Sequence, residues 1–270
     1  MRKSICTAAA VLAGAVGLTA LYRKAKRPKA IGEGLAKFRV RYFAHRGLHD
    51  EEIPENSMAA FALAADAGYG IELDVNLDGD GEVVVFHDDD LERMTGYRGH
   101  LNDTPSNVLK TLRLNGTQQG IPTLSKVLQM TENTPLIIEL KTTTRYRELC
   151  EKTLALLDAY AGDYVIESFD PRIVAWFSRH VPYIVRGQLV QRAKGTTSAE
   201  YAKFRLLQAM LTNGVAHPQF IACEASLMDT RAIRACKRAG AAIAVWTVRS
   251  AEEEQRIADA DAVIFEGYRP

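Results

Sequence analysis

The feature that most constrains the fold is a regular alternation of short β-type runs and amphipathic stretches after residue 40. Eight runs rich in apolar and β-branched residues are separated by seven helical patterns. Parallel strands need long crossover connections, which are usually helices. The alternation therefore predicts an α/β fold, a TIM (β/α)8 barrel. The predicted strands are residues 41–45, 70–75, 135–141, 164–169, 184–190, 220–225, 241–248 and 261–267, and the predicted helices are 58–67, 123–130, 146–160, 171–180, 198–211, 230–239 and 251–258.

One segment interrupts the alternation after the second predicted strand. Residues 76–88 contain two Asp-Gly pairs between strand-like runs, and Asp-Gly is a strong turn signal for a β-hairpin. We therefore predict an antiparallel hairpin that folds back from the second strand. Residues 89–120 have several glycines and weak periodicity, which indicates a small insertion over one end of the barrel. The predicted barrel domain covers residues 40–270.

The first 30 residues differ in character from the rest of the chain. An uncharged run, residues 4–22, lies between two basic residues and a segment, residues 23–29, that holds five more. At about 1.5 Å per residue a helix of this length just spans a hydrocarbon core of about 30 Å. We predict an N-terminal hydrophobic helix that anchors the protein in a membrane, with the barrel in the cytoplasm because more positive charge follows the run. The alternative is a cleaved signal segment and secretion.

Charge and cysteine content exclude other classes of protein. The chain has 34 basic and 33 acidic residues, a net charge of +1, so no overall positive field favours nucleic acid. Cys6, Cys150, Cys223 and Cys236 form no C-x-x-C pair, which argues against a zinc site or a disulfide framework. We expect no nucleic-acid partner, and cysteines that are free thiols.

Carboxylates recur at alternate positions in two of the predicted strands. Glu72, Asp74 and Asn76 share one face of the second strand, and Glu139 shares a face with Lys141 in the third. If these strands are neighbours, three carboxylates converge inside the barrel, where they repel one another unless a cation lies between them. Oxygen ligands without cysteine favour Mg²⁺ or Ca²⁺. The alternatives are a half-exposed antiparallel strand with a polar face, and an inward Glu139–Lys141 salt bridge.

Two histidines lie where predicted strands end. His45 and Arg46 end the first strand, and His87 and Asp88 end the second strand of the hairpin. Catalytic residues of TIM barrels come from the C-terminal ends of different strands. An imidazole with a pKa of about 6.5 can act as acid or base, and arginine presents a planar fork to phosphate. Each histidine alone is more often structural, but the combination with an arginine, a lysine and three acids predicts an active site.

Seven short motifs, in order along the chain, resemble the glycerophosphodiester phosphodiesterase family. The resemblance extends from about Tyr42 to Glu266 and includes a TIM barrel with a small insertion after the second strand. One motif departs from the family, because Phe265-Glu266-Gly267 stands where Thr-Asp-x-Pro is usual. The motifs are AHRG (44–47), PENS (54–57), ELD (72–74), VVFHD (84–88), IPTL (121–124), IELK (138–141) and VWTV (245–248).

The resemblance implies roles for seven side chains and suggests three more. We expect Glu55 and Asn56 to support the site by hydrogen bonds, and Trp246 either to pack on the substrate's carbon skeleton or to fill the core. The seven implied roles are a divalent-cation site (Mg²⁺ or Ca²⁺) at Glu72, Asp74 and Glu139, an acid and a base at His45 and His87, and phosphate contacts at Arg46 and Lys141.

The activity that the resemblance implies is metal-dependent hydrolysis of a glycerophosphodiester to sn-glycerol 3-phosphate and an alcohol. The nucleophile is either water or the neighbouring hydroxyl of the substrate. One alternative is lysophospholipase D-type or phosphoinositide-type cleavage of a membrane lipid, which the N-terminal segment favours. A second alternative is a non-catalytic, membrane-tethered binding barrel. The expected partners are thus a glycerophosphodiester or a lysophospholipid, and a membrane.

Overall fold

The computed structural model describes residues 41–131, 133–195 and 197–270. In this part of the chain, strands and helices alternate in the predicted order. The strands are β1 (Tyr42–His45), β2 (Gly70–Leu77), β3 (Val83–Val85), β4 (Leu136–Leu140), β5 (Tyr164–Ser168), β6 (Arg186–Val190), β7 (Phe220–Glu224), β8 (Ala242–Val248) and β9 (Ala262–Phe265). The α-helices are α1 (Met58–Asp66), α2 (Glu92–Thr95), α3 (Ser106–Leu109), α4 (Leu124–Met130), α5 (Tyr146–Leu157), α6 (Pro171–His180), α7 (Ser198–Gln208), α8 (Asn213–Ala216), α9 (Arg231–Arg238) and α10 (Ala251–Arg256).

The sheet closes into a barrel. Eight of the strands in the described residues are parallel neighbours, and β1 pairs with both β2 and β9, which completes the ring. The ninth strand, β3, pairs in antiparallel register with the end of β2, so that Val85 lies opposite Val75. The predicted TIM barrel and hairpin are both confirmed, and the ends of each barrel strand lie within two residues of the prediction.

Helix boundaries follow local capping signals. The side chain of Ser57 accepts a hydrogen bond from the backbone N–H of Ala60 at the start of α1. Asp170 caps α6, which has Pro171 in its first turn, and Ser250 caps α10. Several helices are shorter than the periodicity predicts, because the apolar pattern continues into the loop that follows the last helical turn.

The barrel interior is built in two layers. Apolar side chains fill the lower layer, and the strands place Phe43, Ile137, Val165, Ala244 and Ile264 there. Because side chains alternate, the residue two positions further along each strand lies on the same inner face and nearer the C-terminal end. Those upper residues are His45, Glu139, Glu167, Trp246 and Glu266.

Two glycines make room for the aromatic rings of the lower layer. A Cβ at Gly70 would lie 2.4 Å from the ring of Phe43, and a Cβ at Gly187 would lie 2.3 Å from the ring of Phe220. Both phenylalanines are fully buried. The closed lower layer therefore leaves the C-terminal end of the barrel as the place where polar groups can meet a ligand.

The insertion between β3 and α4 has an apolar cluster of its own. Short helices α2 and α3 occur in this segment, and it is tied to the hairpin where Gly79 N–H donates to the carbonyl of Thr104 at 2.9 Å. Sequence patterns did not predict these helices, since four residues are too few to establish a period. The cluster consists of Val84, Phe86, Leu91, Met94, Leu101, Leu109 and Leu114.

The predicted hydrophobic helix of residues 1–30 lies outside the described residues and stays a prediction. Among the residues that the structure describes, no helix has the length and the apolar character needed to cross a membrane.

Candidate active site

Three carboxylates meet in the upper layer of the barrel. Asp74 and Glu139 are direct cross-strand neighbours, and Glu72 lies two residues before Asp74 on β2. One oxygen from each of the three lies within 4.8 Å of the others, and all three side chains are buried. The register of β2 and β4 thus brings the three carboxylates together, as the sequence predicts.

The pKa values of the three carboxylates shift in different directions. Burial, with the charges of Asp74 and Glu139, raises the pKa of Glu72 well above its usual value. Burial also raises the pKa of Glu139. Burial acts in the same direction on Asp74, but the positive charges of Lys141, His87 and Arg46 outweigh it and hold its pKa well below the usual value.

The donor set fits a hard divalent cation. It consists of buried carboxylate oxygens and contains no cysteine sulfur. Mg²⁺ and Ca²⁺ prefer such oxygen ligands. Burial and, after it, the like charges of Asp74 and Glu139 raise the pKa of Glu72, and a cation among these oxygens would relieve that repulsion. Glu72, Asp74 and Glu139 are the residues that would hold it.

Lys141 lies against two of these carboxylates. Its Nζ is 3.0 Å from Glu139 Oε1 and 3.2 Å from Asp74 Oδ1. Burial lowers the pKa of Lys141, but the two carboxylates outweigh burial and raise it above its usual value, so the ammonium stays charged. The Glu139–Lys141 salt bridge, the alternative that the sequence left open, therefore exists alongside the carboxylate group.

Arg46 connects the cation-site acids to Glu55. Its backbone N–H donates to Glu72 Oε2 at 3.1 Å, and its Nη1 donates to Glu55 Oε1 at 2.7 Å. Its Nε lies 3.3 Å from Asp74 Oδ2, and the side-chain amide of Asn56 donates to that same oxygen at 2.8 Å. Both Arg46 and Asn56 have positive φ, and the backbone N–H of Asn56 donates to the carbonyl of Arg46 at 2.9 Å. The hydrogen bonds expected of Glu55 and Asn56 are present.

His45 is paired with a carboxylate from the last strand. Its Nδ1 donates to Glu266 Oε2 at 2.6 Å, and its Nε2 lies 3.9 Å from Glu72 Oε2. Burial lowers the pKa of His45 below its usual value, although the hydrogen bond to Glu266 opposes that change. The same hydrogen bond lowers the pKa of Glu266 to about 2. A neutral His45 that donates from Nδ1 has an unprotonated Nε2 facing the acids.

His87 has a similar arrangement with different partners. Its Nδ1 donates to Asp88 Oδ1 at 2.6 Å, and Arg93 from the insertion donates to Asp88 Oδ2. Burial raises the pKa of Asp88, but hydrogen bonds from His87 and Arg93 outweigh burial and hold it below its usual value. Arg93 also donates to Glu55 at 2.7 Å, so the insertion is joined to the barrel mouth by charge pairs.

These groups border a small cavity of about 50 Å³ at the mouth. One wall is polar, and the other is apolar. Trp246 lies edge-on to Phe169 with ring centroids 5.5 Å apart, and the Nε1 of Trp246 has no hydrogen-bond partner within the described ranges. Trp246 therefore lies at the cavity, as one of its two predicted roles requires. The residues that line the cavity are His45, Arg46, Glu72, His87, Glu139, Glu167, Phe169, Leu189, Trp246 and Ile264.

The structure brings every predicted site residue to this end of the barrel, and it adds partners that sequence reasoning missed. Glu266 was noted only as a departure from a family motif, although it forms the pair with His45. Arg93 lies in a segment with weak periodicity, which gave no signal. Glu167 shares the inner face of its strand with Val165, and that alternation by itself indicates a place at the mouth but assigns no role.

Comparisons with known proteins agree with this geometry. Residues 45–266 match the model of the Glycerophosphoryl diester phosphodiesterase family. The chain is 28% identical over 236 residues to the glycerophosphodiester phosphodiesterase of Caldanaerobacter subterraneus subsp. tengcongensis, which is 82% of this chain and 91% of that protein. It is 31% identical over 142 residues, 48% of this chain and 44% of the relative, to a lysophospholipase D of Rattus norvegicus.

A solved structure with the same fold is that of an Oleispira antarctica phosphodiesterase in complex with the product sn-glycerol 3-phosphate. The similarity has a TM-score of 0.71 at 26% identity and covers 86% of this chain and 94% of that one.

Proposed function

Since the chain belongs to the glycerophosphoryl diester phosphodiesterase family and is an enzyme of that class, we propose that it hydrolyses glycerophosphodiesters to sn-glycerol 3-phosphate and an alcohol with the help of a divalent cation. The observation that carries the proposal is the buried group of Glu72, Asp74 and Glu139 between two histidines that each donate from Nδ1 to a carboxylate. A cation bound there supplies Lewis-acid stabilisation of the phosphoryl charge.

Two positive side chains, one lining the cavity and one against the carboxylate group, are candidates for binding the phosphate. Lys141 carries a charge that its carboxylate partners stabilise, and Arg46 presents its guanidinium to the cavity. Groups fixed before the reaction stabilise developing charge without reorganisation, which is usually the largest contribution to catalysis. We assign Lys141 and Arg46 to the phosphoryl oxygens.

The two histidines differ in ways that suggest separate roles. His45 is mostly buried, which lowers its pKa, so it is neutral near pH 7 and its Nε2 can accept a proton. We assign it to the nucleophile, whether water or the neighbouring hydroxyl of the substrate. His87 is more exposed, and its Nδ1 donates to Asp88 at 2.6 Å, so its ring is held at the mouth of the cavity. We assign it to protonation of the leaving alkoxide.

The test uses purified full-length protein with glycerophosphocholine, with release of sn-glycerol 3-phosphate as the readout. We expect turnover with Mg²⁺ or Ca²⁺ and at least about a thousandfold loss after chelation, since the cation stabilises charge on the phosphoryl group. Restoration by titrating each cation back ranks the two ions. Equal turnover with and without chelator would refute the cation's role, and no turnover under any condition would refute the soluble substrate.

A second candidate substrate is a lysophospholipid. It is supported by the relative in Rattus norvegicus that is named a lysophospholipase D, which matches about half of the chain. Release of choline from lysophosphatidylcholine in mixed micelles, measured beside release from glycerophosphocholine, distinguishes the two substrates. Faster release from the lysophospholipid would make it the preferred one.

Glu266→Gln is expected to lower kcat about tenfold or more, because the amide holds the His45 tautomer and ring less firmly than the carboxylate does. The hydrogen bond to Glu266 raises the pKa of His45, so its loss lowers that pKa further. The acidic limb of kcat/KM should therefore move to lower pH. Steady-state kinetics between pH 4 and pH 9 check both effects.

Glu252→Gln, an exposed change on α10, is the control for the loss of one negative charge. An acidic limb that stays in place in Glu266→Gln, or that moves to higher pH, would contradict the assignment of His45 as the base.

A further inference from the structure

Glu167 is a buried carboxylate that the proposed mechanism does not use. Its side chain is 1% exposed and lines the same cavity as the two histidines. Among the described residues its Oε2 has no hydrogen-bond partner, and the nearby Lys141 forms its ion pairs with Asp74 and Glu139. Buried polar atoms in native proteins are nearly always paired, so this oxygen is available for a ligand.

Geometry separates Glu167 from the cation group. Glu167 is the cross-strand neighbour of Glu139, one strand further around the barrel. The oxygens that converge within 4.8 Å among the described residues come from Glu72, Asp74 and Glu139, and Glu167 does not contribute one. Glu167 lies two residues before Phe169, whose ring packs edge-on against Trp246, and all three line the cavity.

One hydrogen-bond acceptor and one donor without partners indicate what kind of group binds in the cavity. Glu167 Oε2 is an acceptor, while Trp246 Nε1 is a donor that also lacks a partner. A hydroxyl can donate to the first and accept from the second. A quaternary ammonium headgroup also suits a carboxylate beside aromatic rings, but it cannot accept a hydrogen bond from the indole. The pair of atoms therefore favours a hydroxyl.

We propose that Glu167 binds the terminal hydroxyl of the glycerol arm, the one farthest from phosphorus, and so selects glycerophosphodiesters over lysophospholipids acylated at that position. The inference rests on the proposed function and names its substrate class. Acylation at that position removes the O–H donor and leaves the buried oxygen of Glu167 unpaired.

The test compares glycerophosphocholine with its analogue in which the terminal hydroxyl of glycerol is replaced by hydrogen. The analogue keeps the phosphodiester, the choline and the neighbouring hydroxyl. We expect the full-length wild type to favour glycerophosphocholine in kcat/KM by about tenfold to a hundredfold. Glu167→Ala should lose most of that preference by slowing on glycerophosphocholine alone, and Glu167→Gln should keep part of it through its carbonyl oxygen.

Two controls separate this role from others. Glu224→Gln changes another strand-end glutamate, one that accepts hydrogen bonds from Arg192 N–H and Ser226 outside the cavity, and it should keep the wild-type preference. The Mg²⁺ concentration for half-maximal rate should be the same in wild type and Glu167→Ala. A rise of about tenfold or more would make Glu167 part of the cation site and overturn the proposal.

Other outcomes also decide the matter. An equal loss on both substrates, or no loss on either, overturns the proposal. A loss on glycerophosphocholine that disappears with glycerophosphoinositol assigns Glu167 to the choline and likewise overturns it. If Glu167→Ala does not fold, the wild-type preference decides. A ratio below about two is then contrary to the proposal, since a lost hydrogen bond to a buried carboxyl oxygen has a larger effect. If the wild type hydrolyses neither substrate, the proposed function itself fails.

Discussion

Glu72→Gln is expected to lower kcat/KM by about a thousandfold or more, while it makes the cation-free protein more stable. The amide keeps an oxygen that can accept the hydrogen bond from the backbone N–H of Arg46, so the local turn is preserved. It removes one of the three negative charges that would hold the cation. Loss of a ligand to a catalytic metal removes charge stabilisation that acts in the transition state.

The gain in stability follows from the sign of the pKa shift. Burial raises the pKa of Glu72 well above the usual value of 4.5. Stability from a group with a raised pKa is fully present below the unfolded pKa and is lost as pH rises through the folded pKa. Glutamine does not titrate, so the advantage of Glu72→Gln should grow as pH rises from about 4.5.

Thermal unfolding with and without Mg²⁺ measures both effects. In EDTA at pH 8 the variant should unfold at a higher temperature than the wild type. A cation at about a hundred times its Kd should raise the wild-type Tm by on the order of 5 °C and leave the variant nearly unchanged.

Glu151→Gln on α5 is the matched control, since it removes a negative charge from an exposed side chain that does not line the cavity. A Glu72→Gln variant that retains wild-type turnover would contradict the cation site. A variant less stable than the wild type in EDTA would contradict the electrostatic argument.

Much of this site follows from the alternation of side chains along short strands. Glu72 and Asp74 are two residues apart, so a strand must place both on one face, and Glu139 arrives beside Asp74 once β2 and β4 are neighbours. The same rule places His45 above Phe43 at the end of β1. These inferences need only the two-residue alternation of side chains along a strand and the order of the strands in the sheet.

The parts that sequence did not predict depend on closure of the barrel or on irregular structure. The His45–Glu266 pair forms because β9 lies beside β1, which brings together residues 221 positions apart. Arg93 reaches Asp88 and Glu55 from a four-residue helix inside the insertion. Such pairings depend on how distant parts of the chain meet in the folded barrel. A local sequence pattern does not predict which residues meet.

His87→Ala and His45→Ala are both expected to lower kcat on glycerophosphocholine by about a hundredfold to ten-thousandfold, the usual effect of losing a general acid or base. They should differ on glycerophospho-4-nitrophenol, whose leaving group departs without protonation. His87→Ala should recover most of its rate on that substrate, because the acid is no longer needed. His45→Ala should stay slow, because the nucleophile still has to lose a proton.

The structure offers a control for this pair of variants. His180 is exposed at the end of α6, where it stacks on Trp176 and bonds to the Trp176 carbonyl, so His180→Ala should keep wild-type rates on both substrates. Recovery by His45→Ala instead of His87→Ala would reverse the two assignments. Recovery by neither variant would mean that both histidines act before the leaving group departs, as they would if each positioned the nucleophile. His45 is the less exposed histidine, and burial lowers its pKa, whereas His87 is more exposed. This difference in surroundings predicts recovery by His87→Ala alone.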